Sequence, residues 1–209
     1  MAESLPVHSW PAARERIAGL PAFGEAPLVI SVATPDTQQR DQARTLIRAA
    51  VSDALGLLFD LPAASIRLDA VPGRPLRADA GGRMLSVSIS HEAGLSVAAL
   101  SPVGQVGIDI MRLPEDFSWE PVARDYLDPD AFHRIAHAPP PERMHAFAVE
   151  WTRLEAGLKC VGTGLAERSP ALQARLAQCA MRRLDLPSGY AGMLAYMPES
   201  LNRFAAKPA

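Results

Sequence analysis

Leu85, Val87 and Ile89 alternate with Ser86, Ser88 and Ser90. A strict period of two predicts a strand with one apolar face and one hydroxyl face. Leu95–Ser101 reads as its returning hairpin partner, and Pro27–Thr34, short and rich in β-branched residues, as an earlier strand. In Gln105–Ile110 the alternation sets Val106, Ile108 and Ile110 inward and Gly107 and Asp109 on the opposite face. Near the C-terminus, Gly189–Met197 predicts a late strand that pairs with Met181–Leu186. Elsewhere the period lengthens. Ala43, Leu46, Ile47, Ala50, Val51, Ala54 and Leu58 recur at helical spacing, behind an Asp36/Gln39 capping box. A second long helix is expected from about Met144 to Val161, after the Pro-rich break Ala138–Arg143.

Between these elements, Val71–Arg83 is a turn-rich connection and Phe117–His137 mixes aromatic and charged residues. Residues 1–26 read as a loosely packed lead-in with a short helix. Strand-plus-helix units occur twice, predicting an α+β chain of two halves, 27–112 and 113–209.

Composition narrows the function classes. The 209-residue chain is 48% hydrophobic and 21% charged, enough for a real core. No apolar run approaches the roughly 18 residues of a membrane span, and the start MAESLPVHSW has neither a basic nor an apolar signal region. Cys160 and Cys179 have no metal-like spacing. A reduced, cytoplasmic protein is expected rather than a disulfide scaffold. A net charge of -2 gives no reason to expect nucleic acid. Any anion site must therefore be local.

Candidate chemistry follows from position, and each residue also has a plain structural reading. Arg40, Arg44 and Arg48 stand four apart on one helix face, the pattern of a solvated flank. Trp151, Glu155 and Lys159 share one side of the second helix, where Glu155 and Lys159 make an ordinary i,i+4 surface pair. Lys159 is nevertheless unusual: apart from Lys207, every other fixed cation is arginine. Gly162-Thr163-Gly164 after it suits a helix C-cap. Asp109 sits in an apolar run where a charge is costly unless paired or bound to a cation, or else caps a turn. His91, between the serine strand and Glu92, suits a turn residue or a catalytic one.

The order of these motifs is more specific than any one of them. Gly73-Arg74-Pro75, Ser90-His91, Gly107-Ile108-Asp109 and Trp151-Thr152-Arg153-Leu154-Glu155-Ala156-Gly157-Leu158-Lys159 follow one another, closed by Gly162-Thr163-Gly164-Leu165. Over about residues 36–198 the chain resembles the 4'-phosphopantetheinyl transferases of the surfactin-type class. The resemblance implies a pseudo-dimer of two similar halves, each a small antiparallel sheet packed with a long helix. It further implies transfer of the phosphopantetheine arm of coenzyme A to a serine of an apo acyl or peptidyl carrier protein, with Mg²⁺ as cofactor.

By that resemblance Asp109 and Glu155 hold the metal, and Glu155, Lys159 and His91 are catalytic. Ser90, His91 and Lys159 contact coenzyme A, with Arg44, in the motif Asp41-Gln42-Ala43-Arg44, and Arg74 on the nucleotide. Phe117–Phe132, with Trp119 and Tyr126, becomes the place for the carrier to dock. A monomer follows from both halves lying in one chain.

The chain departs from the family pattern in three places. Met111 stands where many members have a third metal-binding glutamate, and a thioether is a poor Mg²⁺ ligand. Leu154 replaces a lysine before Glu155. The N-terminal segment has only Arg14 and Arg16 ahead of Arg40, without the family's basic cluster for the 3'-phosphate. Met111 and Leu154 also leave open a non-catalytic relative that binds coenzyme A or a carrier.

Overall fold

The computed structural model describes residues 4–20, 27–35, 40–71, 75–113, 117–166 and 169–198. The capping-box pair Asp36 and Gln39, and Gly73 and Arg74 of the Gly-Arg-Pro turn, lie outside them. In chain order the elements are β1 (His8–Trp10), α1 (Arg14–Ala18), β2 (Leu28–Ala33), α2 (Arg40–Phe59), β3 (Arg67–Asp69) and β4 (Arg77–Ala80). There follow β5 (Arg83–Glu92), β6 (Leu95–Ser101), β7 (Val106–Arg112), α3 (Trp119–Tyr126) and α4 (Pro129–His137). Last come α5 (Arg143–Cys160), α6 (Pro170–Leu176), β8 (Ala180–Arg183) and β9 (Tyr190–Tyr196).

Two sheets form, a six-stranded one in the order β1-β2-β6-β5-β4-β3 and a three-stranded one in the order β7-β9-β8. Alternation along each strand shows how they stack. Leu28 and Ile30 of β2, Leu85 and Val87 of β5, and Leu100 of β6 pack on Ile47, Val51 and Leu55 of α2. The opposite-facing Val29 and Val97 join Ile108 and Ile110 of β7 and Leu194 of β9 between the sheets. Met193 and Ala195, on the far face of β9, meet Ala156 and Cys160 of α5. The molecule is therefore layered helix, sheet, sheet, helix, and its central strands are buried on both faces.

Three local readings change with the tertiary structure. The lead-in is not loose: β1 pairs in parallel with β2, and Ile17 of α1 is fully buried. Leu5 also bridges to Leu184, tying this segment to the second sheet. The turn-rich connection contains β4, which folds onto β5 through Gly81 and Gly82, both with positive φ. Two left-handed residues in a two-residue loop match the right-handed twist of a hairpin. Finally, β7, assigned from sequence to the first half, pairs with β9 of the second. Position 112 is a boundary in sequence but not in hydrogen bonding. On α2, Leu55 is buried while Leu46 of the expected stripe is 37% exposed.

Candidate functional site

The hydroxyl face of β5 is the seam between the sheets. Strand β7 is the edge of its sheet, so the N–H groups on its outer side need acceptors. Val106 N–H donates to Ser86 Oγ at 3.2 Å and Ile108 N–H to Ser88 Oγ at 3.0 Å. Ile110 N–H donates to Ser90 Oγ at 3.3 Å, and Ser90 O–H in turn donates to Asp109 Oδ1 at 2.9 Å. A period-two row of serines thus substitutes for a neighbouring strand and aligns Asp109.

Asp109 is only 8% exposed. Lys159 Nζ donates to its Oδ1 at 2.7 Å and to the Ile108 carbonyl at 3.0 Å. The lysine therefore pairs across to β7 and not along its own helix with Glu155. Gly107 makes this approach possible, since a Cβ there would lie 2.1 Å from the Ala156 carbonyl and 2.4 Å from Cys160 N. Only a glycine lets β7 and α5 come so close.

Glu155, one helical turn before Lys159, opens into a cleft of about 600 Å³ beside Trp151, Met111, Glu92 and Asp109. Burial pushes the Asp109 carboxyl up, opposed by the Lys159 ammonium. Burial, and then the Asp109 charge, push Glu155 up as well. Glu92 shifts the same way, chiefly by burial, with Asp109 adding to it. Glu155 and Glu92 thus both feel the Asp109 charge. Among the described residues no three His, Cys, Asp or Glu side chains are close enough to hold a metal unaided. The donors are nevertheless all oxygens, which suits a hard cation that also takes phosphate and water ligands.

The raised pKa of Glu155 has a consequence for stability. Its folded value lies above its unfolded one, so the folded state holds its proton more tightly. Stability is therefore lost as pH rises from the ordinary carboxylate value of 4.5 through the folded value. In the absence of divalent cation, Glu155→Gln is expected to gain melting temperature relative to the wild type as pH rises above about 4.5. Paired thermal scans check this, and a difference that stays flat with pH would rule it out.

The opposite wall is cationic. Arg44, His91 and Lys159 line both this cleft and an adjoining one of about 610 Å³, with Arg40 beside the acids and Arg48 in the second cleft. The arginine row of α2 is solvent-exposed, as its spacing suggested, but its side chains face the clefts. Pro75, Gly162, Thr163 and Gly164 border the second cleft. His91 Nδ1 lies 2.8 Å from Ser96 Oγ, leaving Nε2 as the ring nitrogen for a ligand. Burial, then Arg44, Lys159, Arg40 and Arg48, hold its pKa below the usual histidine value. Binding of an anion would relieve that repulsion.

Of the residues singled out from sequence, Ser90, His91, Asp109, Glu155, Lys159 and Arg44 converge here, while Arg74 lies outside the described residues. Leu154 does not converge. It packs with Trp151 and Phe147 into the cluster formed by α3, α4 and α5, where a lysine ammonium would lose water. Trp119 and Phe132 meet at a tilt within the same cluster, with centroids 5.5 Å apart, and Tyr126 meets Trp151 edge-on at 6.0 Å. Phe117 remains 40% exposed. Sequence reasoning missed Glu92, whose only signal was its place directly after Ser90-His91.

Residues 105–188 match the family described as the 4'-phosphopantetheinyl transferase superfamily. The chain is 28% identical over 96 residues to the 4'-phosphopantetheinyl transferase HetI of Nostoc sp. (strain PCC 7120 / SAG 25.82 / UTEX 2576). That match covers 46% of this chain and 40% of HetI. No described helix is long and apolar enough to cross a membrane.

Proposed function

We propose that the protein is a 4'-phosphopantetheinyl transferase of the surfactin-type class. It moves the phosphopantetheine arm of coenzyme A onto a serine hydroxyl of an apo acyl or peptidyl carrier protein and releases 3',5'-ADP. The observation that carries this reading is a single clefted surface on which the arginines of α2 and the His91 imidazole of β5 face carboxylates from β7 and α5. Lys159 stands between them. A pyrophosphate diester needs both: cations along its non-bridging oxygens, and acids that hold a dication against it.

In this reading Arg40, Arg44 and Arg48 bind the nucleotide end, in place of the basic N-terminal cluster the chain lacks. His91 donates from Nε2 to a phosphate oxygen. Asp109 and Glu155 would hold Mg²⁺, which supplies charge neutralisation of the pyrophosphate when bound. Glu92, on the rim of the same cleft, is placed to take the role that Met111 leaves vacant. Glu155, with its proton affinity raised by burial, accepts the carrier serine proton directly or through a water. Lys159 is fixed by Asp109 and the Ile108 carbonyl, so its ammonium is pre-positioned for charge developing on the leaving 3',5'-ADP. A compact ammonium suits this crowded position better than a guanidinium fork. The carrier docks beside Phe117 at the start of the aromatic segment.

Purified protein, coenzyme A and a panel of apo carriers, incubated with Mg²⁺ or with EDTA, provide the test. Intact-mass measurement is expected to show a phosphopantetheine adduct on at least one carrier with Mg²⁺ and none with EDTA. If no carrier is modified while a known transferase modifies the same panel, the protein is a non-catalytic binder. Modification that persists undiminished in EDTA would remove the metal from the reading.

A further inference from the structure

The two cysteines, 19 positions apart in sequence, come together in one apolar cluster of the folded protein. Gly157 sits one turn before Cys160 on α5, and a Cβ there would lie 2.8 Å from Leu176 Cδ2 and 3.1 Å from Met181 Cε. The missing side chain lets the turn between α6 and β8 lie directly on α5. Cys179 is inside that turn, its N–H bonded to the Leu176 carbonyl at 3.0 Å. Cys160, fully buried, belongs to the apolar cluster against which Cys179 and Met181 pack.

Their surroundings differ in a useful way. Cys179 is partly exposed and lines a cavity of about 780 Å³ between α4, α5 and α6. Cys160 donates to the Gln105 carbonyl at 3.4 Å and borders a smaller cavity with Arg175 and Gln178. Arg175 bonds the Val161 carbonyl and, at 3.0 Å, Thr163 Oγ1, which braces α6 against the end of α5. The neighbouring Cys160 thiol, and then the Arg175 guanidinium, hold the Cys179 thiol below the ordinary cysteine range despite its burial. The same contact and burial push Cys160 up. One thiol is thus reachable and inclined to ionise, and the other is shielded and protonated beside it.

We infer that Cys179 and Cys160 form a peroxide-reactive dithiol site, Cys179 attacking and Cys160 resolving. The Cys179 thiolate attacks one oxygen of hydrogen peroxide; an S–O bond forms, the O–O bond breaks and hydroxide leaves, giving the sulfenic acid. The Cys160 sulfur then attacks Cys179 Sγ. An S–S bond forms, the S–O bond breaks, and the departing hydroxide takes the Cys160 proton as water. Sulfur is oxidised to the disulfide and peroxide oxygen is reduced. The new bond ties the last turn of α5, one residue beyond Lys159, to the turn entering β8, and a dithiol reductant reverses it.

The test uses the full, reduced chain treated with hydrogen peroxide, then alkylated in denaturant and digested with trypsin. The expected result is loss of both alkylatable thiols together, recovery of the two cysteine peptides as one disulfide-linked species, and full reversal by dithiothreitol. The same treatment in urea is expected to give less linked product, because there the pairing of the two sulfurs is lost. Cys160→Ala should stop at the sulfenic acid, trapped by dimedone on Cys179, and Cys179→Ser should leave Cys160 alkylatable. If Cys160→Ala fails to fold, the wild-type and Cys179→Ser arms still decide. Two thiols that remain alkylatable, linkage only between chains, or equal linkage in urea would each overturn the inference.

Discussion

Glu155→Gln is expected to lower carrier modification by about 10²–10⁴-fold, the usual worth of a positioned acid–base group. The amide keeps the size of the side chain and its place beside Trp151. It neither accepts a proton nor balances a dication. Binding of coenzyme A without metal should stay within about twofold, because the groups that would hold the nucleotide are the α2 arginines, His91 and Lys159. Single-turnover transfer, with calorimetric titration of coenzyme A, measures both quantities. A variant within tenfold of wild type in transfer would remove Glu155 from the chemistry. Met111→Glu is the companion: it places a carboxylate two residues after Asp109 and should leave transfer intact while tightening Mn²⁺ binding. Abolished transfer in that variant would mean the acids are not arranged around one cation.

The second large effect falls on stability. Gly107→Ala puts a methyl group 2.1 Å from the Ala156 carbonyl and 2.4 Å from Cys160 N. Both obstacles are backbone, so no rotamer change relieves them, and β7 must separate from α5. Overpacking of this kind costs about 3 kcal/mol, which for a chain of this size lowers the melting temperature by roughly 6–12 °C. The Lys159–Asp109 bridge, on the residues flanking the collision, should be lost with it. Gly164→Ala is the control, since a Cβ there meets nothing within 4 Å. Thermal unfolding of the two variants separates close packing from a general intolerance of alanine, and a Gly107→Ala melting point equal to that of Gly164→Ala would refute the claim.

Both predictions rest on contacts between residues far apart in sequence, and the sequence was read unevenly for that reason. The period-two runs of β5 and β7, the short apolar runs of β2, β6 and β9 and the helical stripe of α2 were legible because burial acts along a whole element. The faces were harder. The serines of β5 read as the side away from the core, yet Ser86, Ser88 and Ser90 are buried and bond the edge of β7. A hydroxyl's preference for water or for an orphan N–H is decided by what lies opposite it. The arginines of α2 share one face by helical geometry, but whether that face meets solvent or a cleft depends on β5 and α5.

Taken alone, the sequence determined the main strands β2, β5, β6, β7 and β9 and the long helices α2 and α5, and that Trp151, Glu155 and Lys159 project from one side of α5. Backbone periodicity settles those matters within a few turns. Only the tertiary structure decided that Lys159 pairs with Asp109, 50 positions away, that β7 belongs to the second sheet, that Glu92 joins the acidic cleft, and that Cys160 and Cys179 come together in one apolar cluster. Each of these is a choice among partners. A charge, a strand edge or a thiol takes whichever group the long-range packing brings within reach, and here the gap left by Gly107 and the serine row of β5 set what that is.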